Sequence, residues 1–311
     1  MTTERPRYLR LHQQGKLQQR AQKARQHEKS CDLCARYCGV DRTVRLGACN
    51  TKLKARVASY GPHHGEEDPL RGWRGSGTIF FSWCNLRCQY CQNADISQSP
   101  AGREVDSREL AAIMLSLQET GCHNLNFVSP SHVVAEILEA LVIAVDHGLN
   151  IPLVYNTGGF DSLEALTLLD GVIDIYMPDM KYSDPLIARR LSKIGNYPEV
   201  NRNAVREMHR QVGDLQIDPA GIAQRGLLIR HLVLPHDLAG TEHAVQFIAD
   251  VISKDTYVNI MGQYRPAYKA HEHEHLERGL RHEEYQRAVE LARAAGLTRL
   301  DKRTGIPRIF I

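Results

Sequence analysis

Three cysteines fall within eight residues, Cys84-Asn-Leu-Arg-Cys88-Gln-Tyr-Cys91, directly after the apolar run Gly77-Thr-Ile-Phe-Phe81. Thiolates are the ligands that hold iron–sulfur clusters, usually four to a [4Fe–4S] cubane. Three in one tight loop leave one iron without a protein ligand. An open coordination position is what a catalytic metal centre needs and a structural one closes. Cys84, Cys88 and Cys91 are therefore candidate ligands of a reactive centre. The competing reading is a zinc knuckle or a cluster of packed thiols, but zinc calls for a fourth local ligand and none lies nearby.

A second set, Cys31-x2-Cys34-x3-Cys38-x10-Cys49, places four thiols in nineteen residues. Four thiolates complete either a structural zinc site or an auxiliary iron–sulfur cluster, and the spacing leaves both open. The eighth cysteine, Cys122, stands alone and reads as a packed thiol.

These loops need elements to position them. From about Arg74 onward, short apolar runs alternate with amphipathic segments. Strands are predicted at 78–83, 124–128, 152–156, 172–177, 227–234 and 256–261. Helical stripes lie between them: Leu110, Ile113, Met114 and Leu117, then Val134, Ile137, Leu138 and Leu141, then Ala244, Phe247, Ile248 and Val251. Asp106 with Glu109 forms a capping-box signature, Asp161 with Glu164 another, and Asp184-Pro185 opens a further helix. Six strand–helix repeats predict an α/β fold, a partial (β/α)6 TIM-like barrel, with chemistry at the C-terminal strand ends. Three regions are expected: a basic helical extension over 1–30, a small loop-rich four-cysteine metal-bound module over 31–70, and the barrel over 71–311.

The chain has 311 residues, 42% hydrophobic and 24% charged, with a formal net charge of +3. So near-neutral a balance gives no global argument for nucleic acid or an anionic membrane as partner. No apolar run is long enough to span a bilayer, and residues 1–30 hold no apolar core of a signal peptide. A cytoplasmic location is expected, where thiols stay reduced and clustered cysteines point to metal or redox chemistry.

The spacing Cys-x3-Cys-x2-Cys, with Tyr90 before the last cysteine, resembles the signature of radical S-adenosylmethionine (SAM) enzymes. The resemblance implies that SAM chelates the open iron of a [4Fe–4S] cluster. An electron supplied by a reductant such as flavodoxin or ferredoxin then yields methionine and a 5′-deoxyadenosyl radical that abstracts hydrogen. Further stretches resemble the activases of glycyl radical enzymes. Tyr155-Asn156-Thr157-Gly158-Gly159 resembles their Thr-Asn-Gly turn, and Asp179-Met180-Lys181 their SAM-contacting Asp-x-Lys. Ile229 to Pro235 resembles their Arg-x-x-Val-Pro strand, making Arg230 a carboxylate partner. Their second strand ends Gly-Gly-Glu-Pro and holds the SAM amino group. Here Ser129, Ser131 or His132 stands in its place, with Ser129 carried forward as the candidate contact. Together with the Cys31–Cys49 module, most of the chain resembles the pyruvate formate-lyase activating enzyme-like branch. Two departures from that branch are Trp83, where glycine is usual and which would narrow the cluster's surroundings, and Ala35, where proline is usual. The substrate implied is a glycyl radical protein. The alternatives are a peptide, nucleoside or small molecule, or a non-enzymatic iron–sulfur or zinc protein. Gln263, Tyr264 and Arg265 follow the last strand and are candidate substrate contacts. His271, His273 and His275 read as a solvated loop rather than a metal tract.

Overall fold

The computed structural model describes residues 5–302. Two helices come first, α1 (Arg7–Gln13) and α2 (Lys16–His27). Residues 31–54 form turns without a regular element. Then come β1 (Ala55–His63), α3 (Asp68–Arg71), β2 (Ser76–Phe81), α4 (Ala94–Ser97), β3 (Arg103–Val105) and α5 (Ser107–Glu119). Next are β4 (Leu125–Val128), α6 (Val134–Asp146), β5 (Leu153–Thr157), α7 (Leu163–Leu169), β6 (Ile175–Pro178), α8 (Pro185–Ser192) and α9 (Tyr197–Val212). The chain continues through β7 (Gln216–Ile217), β8 (Ala223–Leu232), α10 (Thr241–Phe247), β9 (Tyr257–Met261) and α11 (His282–Ala294).

The strands β2, β4, β5, β6, β8 and β9 lie side by side in that order and run parallel. This is an α/β architecture on a mostly parallel sheet, consistent with a partial TIM-like barrel. Each of the six coincides with one of the predicted apolar runs. Both faces of a parallel sheet are covered, so β5 and β6 are buried at every residue. Their side chains alternate between two cores. Leu153, Tyr155 and Tyr176 pack outward with Leu138 and Leu141 of α6. Val154, Ile175 and Met177 point inward to Leu228 and to Leu70 of α3, which plugs the interior.

Three strands escaped the sequence reading. β1 pairs antiparallel with β2, from Val57 against Phe81 to His63 against Ser76, and β3 pairs antiparallel with β1. β7 pairs antiparallel with β8. β1 ends in Gly61-Pro62 and exposes Tyr60, so it lacks the apolar signature of a buried strand.

Helix starts follow their caps. Asp106 accepts from the Glu109 amide at 2.9 Å while Glu109 accepts from the Asp106 amide at 2.9 Å, a reciprocal capping box. Asp184 accepts from the Leu186 and Ile187 amides, with Pro185 in the first turn. The expected Asp161 cap is a correction. Ser162 caps α7 instead, accepting from Ala165 N at 3.2 Å. Asp161 turns inward and accepts from Tyr155 Oη at 2.9 Å and Thr157 Oγ1 at 2.7 Å, since a buried carboxylate must find donors. Val251 is a second correction. The helix widens into a π turn at Ile248–Ile252, which breaks the 3.6-residue register and leaves Val251 half exposed.

The basic leader is docked along one face. Leu17, Ala21 and Ala24 of α2 are buried, and α2 packs on α6. Behind it lies a charge group removed from water. Arg42, fully buried, meets Glu28 at 3.3 Å and Glu136 at 2.9 Å, and Arg25 meets Glu28 at 3.0 Å.

At the start of β6, buried Asp174 accepts from Leu153 N at 2.9 Å and Arg7 N at 3.2 Å. Burial pushes its pKa from 3.8 up to about 7. The folded chain then holds this proton to higher pH than the unfolded chain. Stability is fully present below 3.8 and declines as pH rises toward about 7. Asp174→Asn is expected to flatten that decline, read as the denaturant midpoint against pH across the window.

Candidate active site

Beyond β2 the chain enters the three-cysteine loop through Trp83, whose φ of +69° lies in the left-handed region that favours glycine. The Trp83 amide donates to Ile96 O at 2.9 Å. Its side chain is half-buried and does not line the cavity beside the thiols. The loop is tied down on several sides. Arg87 N and Gln89 N donate to Ser192 O and Leu191 O at the end of α8, at 3.3 and 2.8 Å. Asn85 Nδ2 donates to Phe160 O at 2.6 Å, and Arg87 Nη1 to Cys84 O at 2.6 Å.

The three thiols share a cavity of about 140 Å³ with Ser129, Asn156, Thr157, Gly158, Asp179, Lys181 and Arg230. Thus residues from the ends of β2, β4, β5, β6 and β8 converge, as a parallel strand–helix sheet requires. Phe81, Leu86 and Val128 supply apolar wall. Size is a poor guide here: a hollow of about 890 Å³ lies elsewhere, lined by Arg7, Arg10 and Asn150, and holds no thiol.

The wall is a knot of buried charge. Asp179 Oδ1 accepts from Arg230 Nε at 2.9 Å and Oδ2 from Lys181 Nζ at 2.6 Å, with all three side chains only 13–18% exposed. Arg230 Nη2 donates to Asn156 Oδ1 at 2.7 Å. Burial drives the Asp179 pKa upward, but Arg230 and Lys181 overcome it and hold the carboxyl below its ordinary value. Burial opposes the Lys181 charge, yet Asp179 and then Cys88 keep its pKa above the ordinary lysine value. Burial pushes the Cys88 thiol up to about 12, against the pull of Lys181. Beneath Arg230, buried Glu67 accepts from Asn259 Nδ2 at 2.8 Å, and burial raises its pKa while Arg230 opposes.

Backbone geometry brings the strand ends together. Gly159 has φ +75°, and a methyl group there would stand 2.3 Å from Asp179 O, so only glycine fits. Tyr197 Oη on α9 shares its one proton between Gly158 O at 2.8 Å and Asp179 O at 3.0 Å. Asn201 Nδ2 donates to Gly159 O at 3.0 Å and Asp179 O at 2.9 Å. These braces were missed because α9 itself was not predicted. Its signal was present, in Pro198 at the helix start and the stripe Ala204, Val205, Met208, Val212.

The three stand-ins in the turn after β4 separate clearly. Ser131 Oγ lies 3.0 Å from Thr157 Oγ1, and His132 Nε2 donates to Ser82 O at 3.0 Å. Burial lowers the His132 pKa to about 4, so it is neutral. Only Ser129, at φ +58°, lines the cavity. Tyr90 lies off that wall and packs edge-on against Tyr182 and Tyr264, with centroids 6.3 and 5.9 Å apart. Two hydroxyls beside the thiols were not foreseen: Ser192 Oγ donates to Cys88 Sγ at 2.9 Å, and Ser97 Oγ lies 3.2 Å from Cys91 Sγ.

Tyr264 is buried and donates to Leu276 O at 2.8 Å, whereas Gln263 and Arg265 are exposed. His271 and His275 are exposed. Cys122 is buried as a packed thiol. Cys31, Cys34 and Cys49 are buried and Cys38 half-buried. Among the described residues no three His, Cys, Asp or Glu groups are closed around one point as a metal-ligand set. No described helix is long and apolar enough to cross a membrane.

Asp179→Asn would leave two buried cations without their counter-charge, expected to cost about 3–5 kcal/mol of folding stability. Denaturant unfolding of the metal-free chain measures it, and Asp218→Asn on a surface turn serves as the control.

A family model described as the radical SAM superfamily matches residues 78–247. An uncharacterized protein of Methanocaldococcus jannaschii is 34% identical over 276 residues, covering 85% of this chain and 74% of that protein. The match runs from β2 to α10, the stretch that carries the thiols and every other residue of the cavity wall. The chain belongs to the radical SAM superfamily, whose members cleave SAM by radical chemistry at a [4Fe–4S] cluster with an electron from a reductant.

Proposed function

We propose that Cys84, Cys88 and Cys91 are the protein ligands of that [4Fe–4S] cluster and that the adjoining polar wall binds SAM. The observation that carries this is one cavity containing three thiols and no fourth, with cationic, amide and hydroxyl groups from four other strand ends. The donor set fits: thiolates suit iron, and a cavity with charged and apolar walls suits a sulfonium amino acid nucleoside. When bound, the cluster supplies the electron that cleaves SAM to methionine and a 5′-deoxyadenosyl radical.

The chain's own residues bind and orient. Lys181 spends one of its three N–H donors on Asp179 and keeps the others for the SAM carboxylate. Arg230 adds positive charge beside it, and Asn156 fixes the guanidinium plane. Gly158 lets the backbone approach, and Ser129 offers a hydroxyl to the amino group. Phe81, Leu86 and Val128 exclude water, which protects a reactive radical from side reactions. Tyr90 supports the loop from behind through Tyr182 and Tyr264.

The substrate in this reading is a glycyl radical protein, supported by the likeness of Asn156-Thr157-Gly158, Asp179-x-Lys181 and Arg230 to the activases. A flavodoxin or ferredoxin donates the electron, the location is cytoplasmic, and Cys31, Cys34, Cys38 and Cys49 hold a second metal.

Anaerobic reconstitution with iron and sulfide, followed by SAM and dithionite, is expected to release methionine and 5′-deoxyadenosine. Cys84→Ala, Cys88→Ala and Cys91→Ala are each expected to abolish both products. Product formation unchanged in these variants refutes the ligand assignment. Mixing with candidate glycyl radical proteins is expected to give an electron paramagnetic resonance doublet. SAM cleavage with no doublet in any mixture sinks the activase reading alone.

A further inference from the structure

Residues 31–54 contain no helix or strand, yet Cys31, Leu33, Cys34, Ala35, Arg42 and Cys49 are buried. A segment with so little regular structure rarely holds itself together without a staple. Its turns present the four thiols in two groups. Gly39 N donates to Cys31 O at 3.0 Å, Cys31 N to Val40 O at 2.9 Å and Tyr37 N to Cys34 O at 3.0 Å, which folds the 31–40 backbone that carries Cys31, Cys34 and Cys38 back on itself. Gly47 N donates to Thr51 O at 3.2 Å and Asn50 N to Gly47 O at 2.9 Å, which turns Cys49 back toward them. A methyl group on Gly47 would stand 3.3 Å from Cys49 Sγ and 3.7 Å from Cys38 Sγ, so these sulfurs flank the same point. The Leu33 and Arg36 amides donate hydrogen bonds to the Cys31 and Cys34 sulfurs. Leu86 N does the same for Cys84 Sγ, at 3.4 Å.

This segment also sits directly on the three-cysteine loop. Arg36 Nε donates to Asn85 O at 2.6 Å. Arg87 reaches back, donating Nη2 to Ala48 O at 2.7 Å and Nη1 to Cys84 O at 2.6 Å. Ala35 belongs to the same apolar cluster as Leu86, Cys88 and Phe160. Two guanidinium groups therefore stitch the backbone beside Cys34 and Cys49 to the backbone beside Cys84.

We propose that Cys31, Cys34, Cys38 and Cys49 bind one thiophilic centre, a zinc ion or an iron–sulfur cluster, whose occupancy rigidifies the Cys84–Cys91 loop through Arg36 and Arg87. Each thiol gives up its proton to solvent as the centre forms. The centre itself stands apart from the SAM-cleavage reading; only the meaning of a rigid loop rests on it. Without the centre, the turns around Cys34 and Cys49 lose their cross-link, and both arginines lose fixed anchors.

The test uses the full-length protein with Cys84, Cys88 and Cys91 all replaced by alanine, loaded anaerobically with zinc or with iron and sulfide. The expected content per chain is about one zinc or about four irons with matching sulfide. Whichever loading survives a chelator challenge identifies the centre. Cys38→Ser with Cys49→Ser is expected to remove it. A triple-alanine chain that retains neither metal overturns the site, whatever the outcome of SAM cleavage. Amide hydrogen exchange then reads the coupling in the otherwise native chain. Stripping the second centre, or replacing Arg36→Met and Arg87→Met in a variant that keeps it, is expected to speed exchange over residues 84–91 on the order of tenfold. Unchanged exchange in the arginine variant, with its metal intact and its circular dichroism native, overturns the coupling.

Discussion

Asp179 sits between two cations that water scarcely reaches, and the arrangement of the cavity depends on it. None of the three charges is tolerable there alone, because desolvating an unpaired ion costs several kcal/mol. Together they satisfy one another, and in doing so they lock the end of β6 to β8 and, through Asn156, to β5. The carbonyl side of the same turn is held by Tyr197 and Asn201 from α9. Charge on one side and hydrogen bonding on the other leave the wall little freedom. Such preorganisation is what the proposed SAM-binding reading calls for.

The thiols opposite are held by a different means. Their loop has no regular structure of its own and borrows rigidity from α8, from Phe160 and from the turns that precede β1. Those turns are fastened in their turn to the C-terminal cap of α2 and to α6 by Arg42, whose guanidinium joins Glu28 and Glu136 out of reach of solvent. A line of ion pairs and backbone hydrogen bonds therefore runs from the basic leader to the cysteine loop. What looks like an appendage in the chain is packed into the support of the site.

The barrel strands were legible because parallel strands covered on both faces must be nearly all apolar, and their runs stand out. β1, β3 and β7 were not, because a short or half-exposed antiparallel strand carries mixed residues and takes its pairing from its neighbour. The same limit explains Asp161. Its local pattern matches a helix cap, but the choice between a cap and two inward hydroxyl donors is made by Tyr155 and Thr157, which reach it only once β5 is in the sheet.

Spacing along the chain nominated three thiols with an open fourth position, and likeness to the activases, at strand ends, nominated Asn156, Asp179, Lys181 and Arg230. The fold gathers these residues around one cavity because each stands at or just past the C-terminal end of a parallel strand. Which of Ser129, Ser131 and His132 reaches the cavity was decided only by the left-handed turn at Ser129, which sends its neighbours to Thr157 and Ser82. The bracing by Tyr197 and Asn201 and the seam made by Arg36 and Arg87 belong wholly to the tertiary structure. Hydrogen bonds between segments dozens of residues apart leave no periodicity behind, and only packing brings their partners within reach.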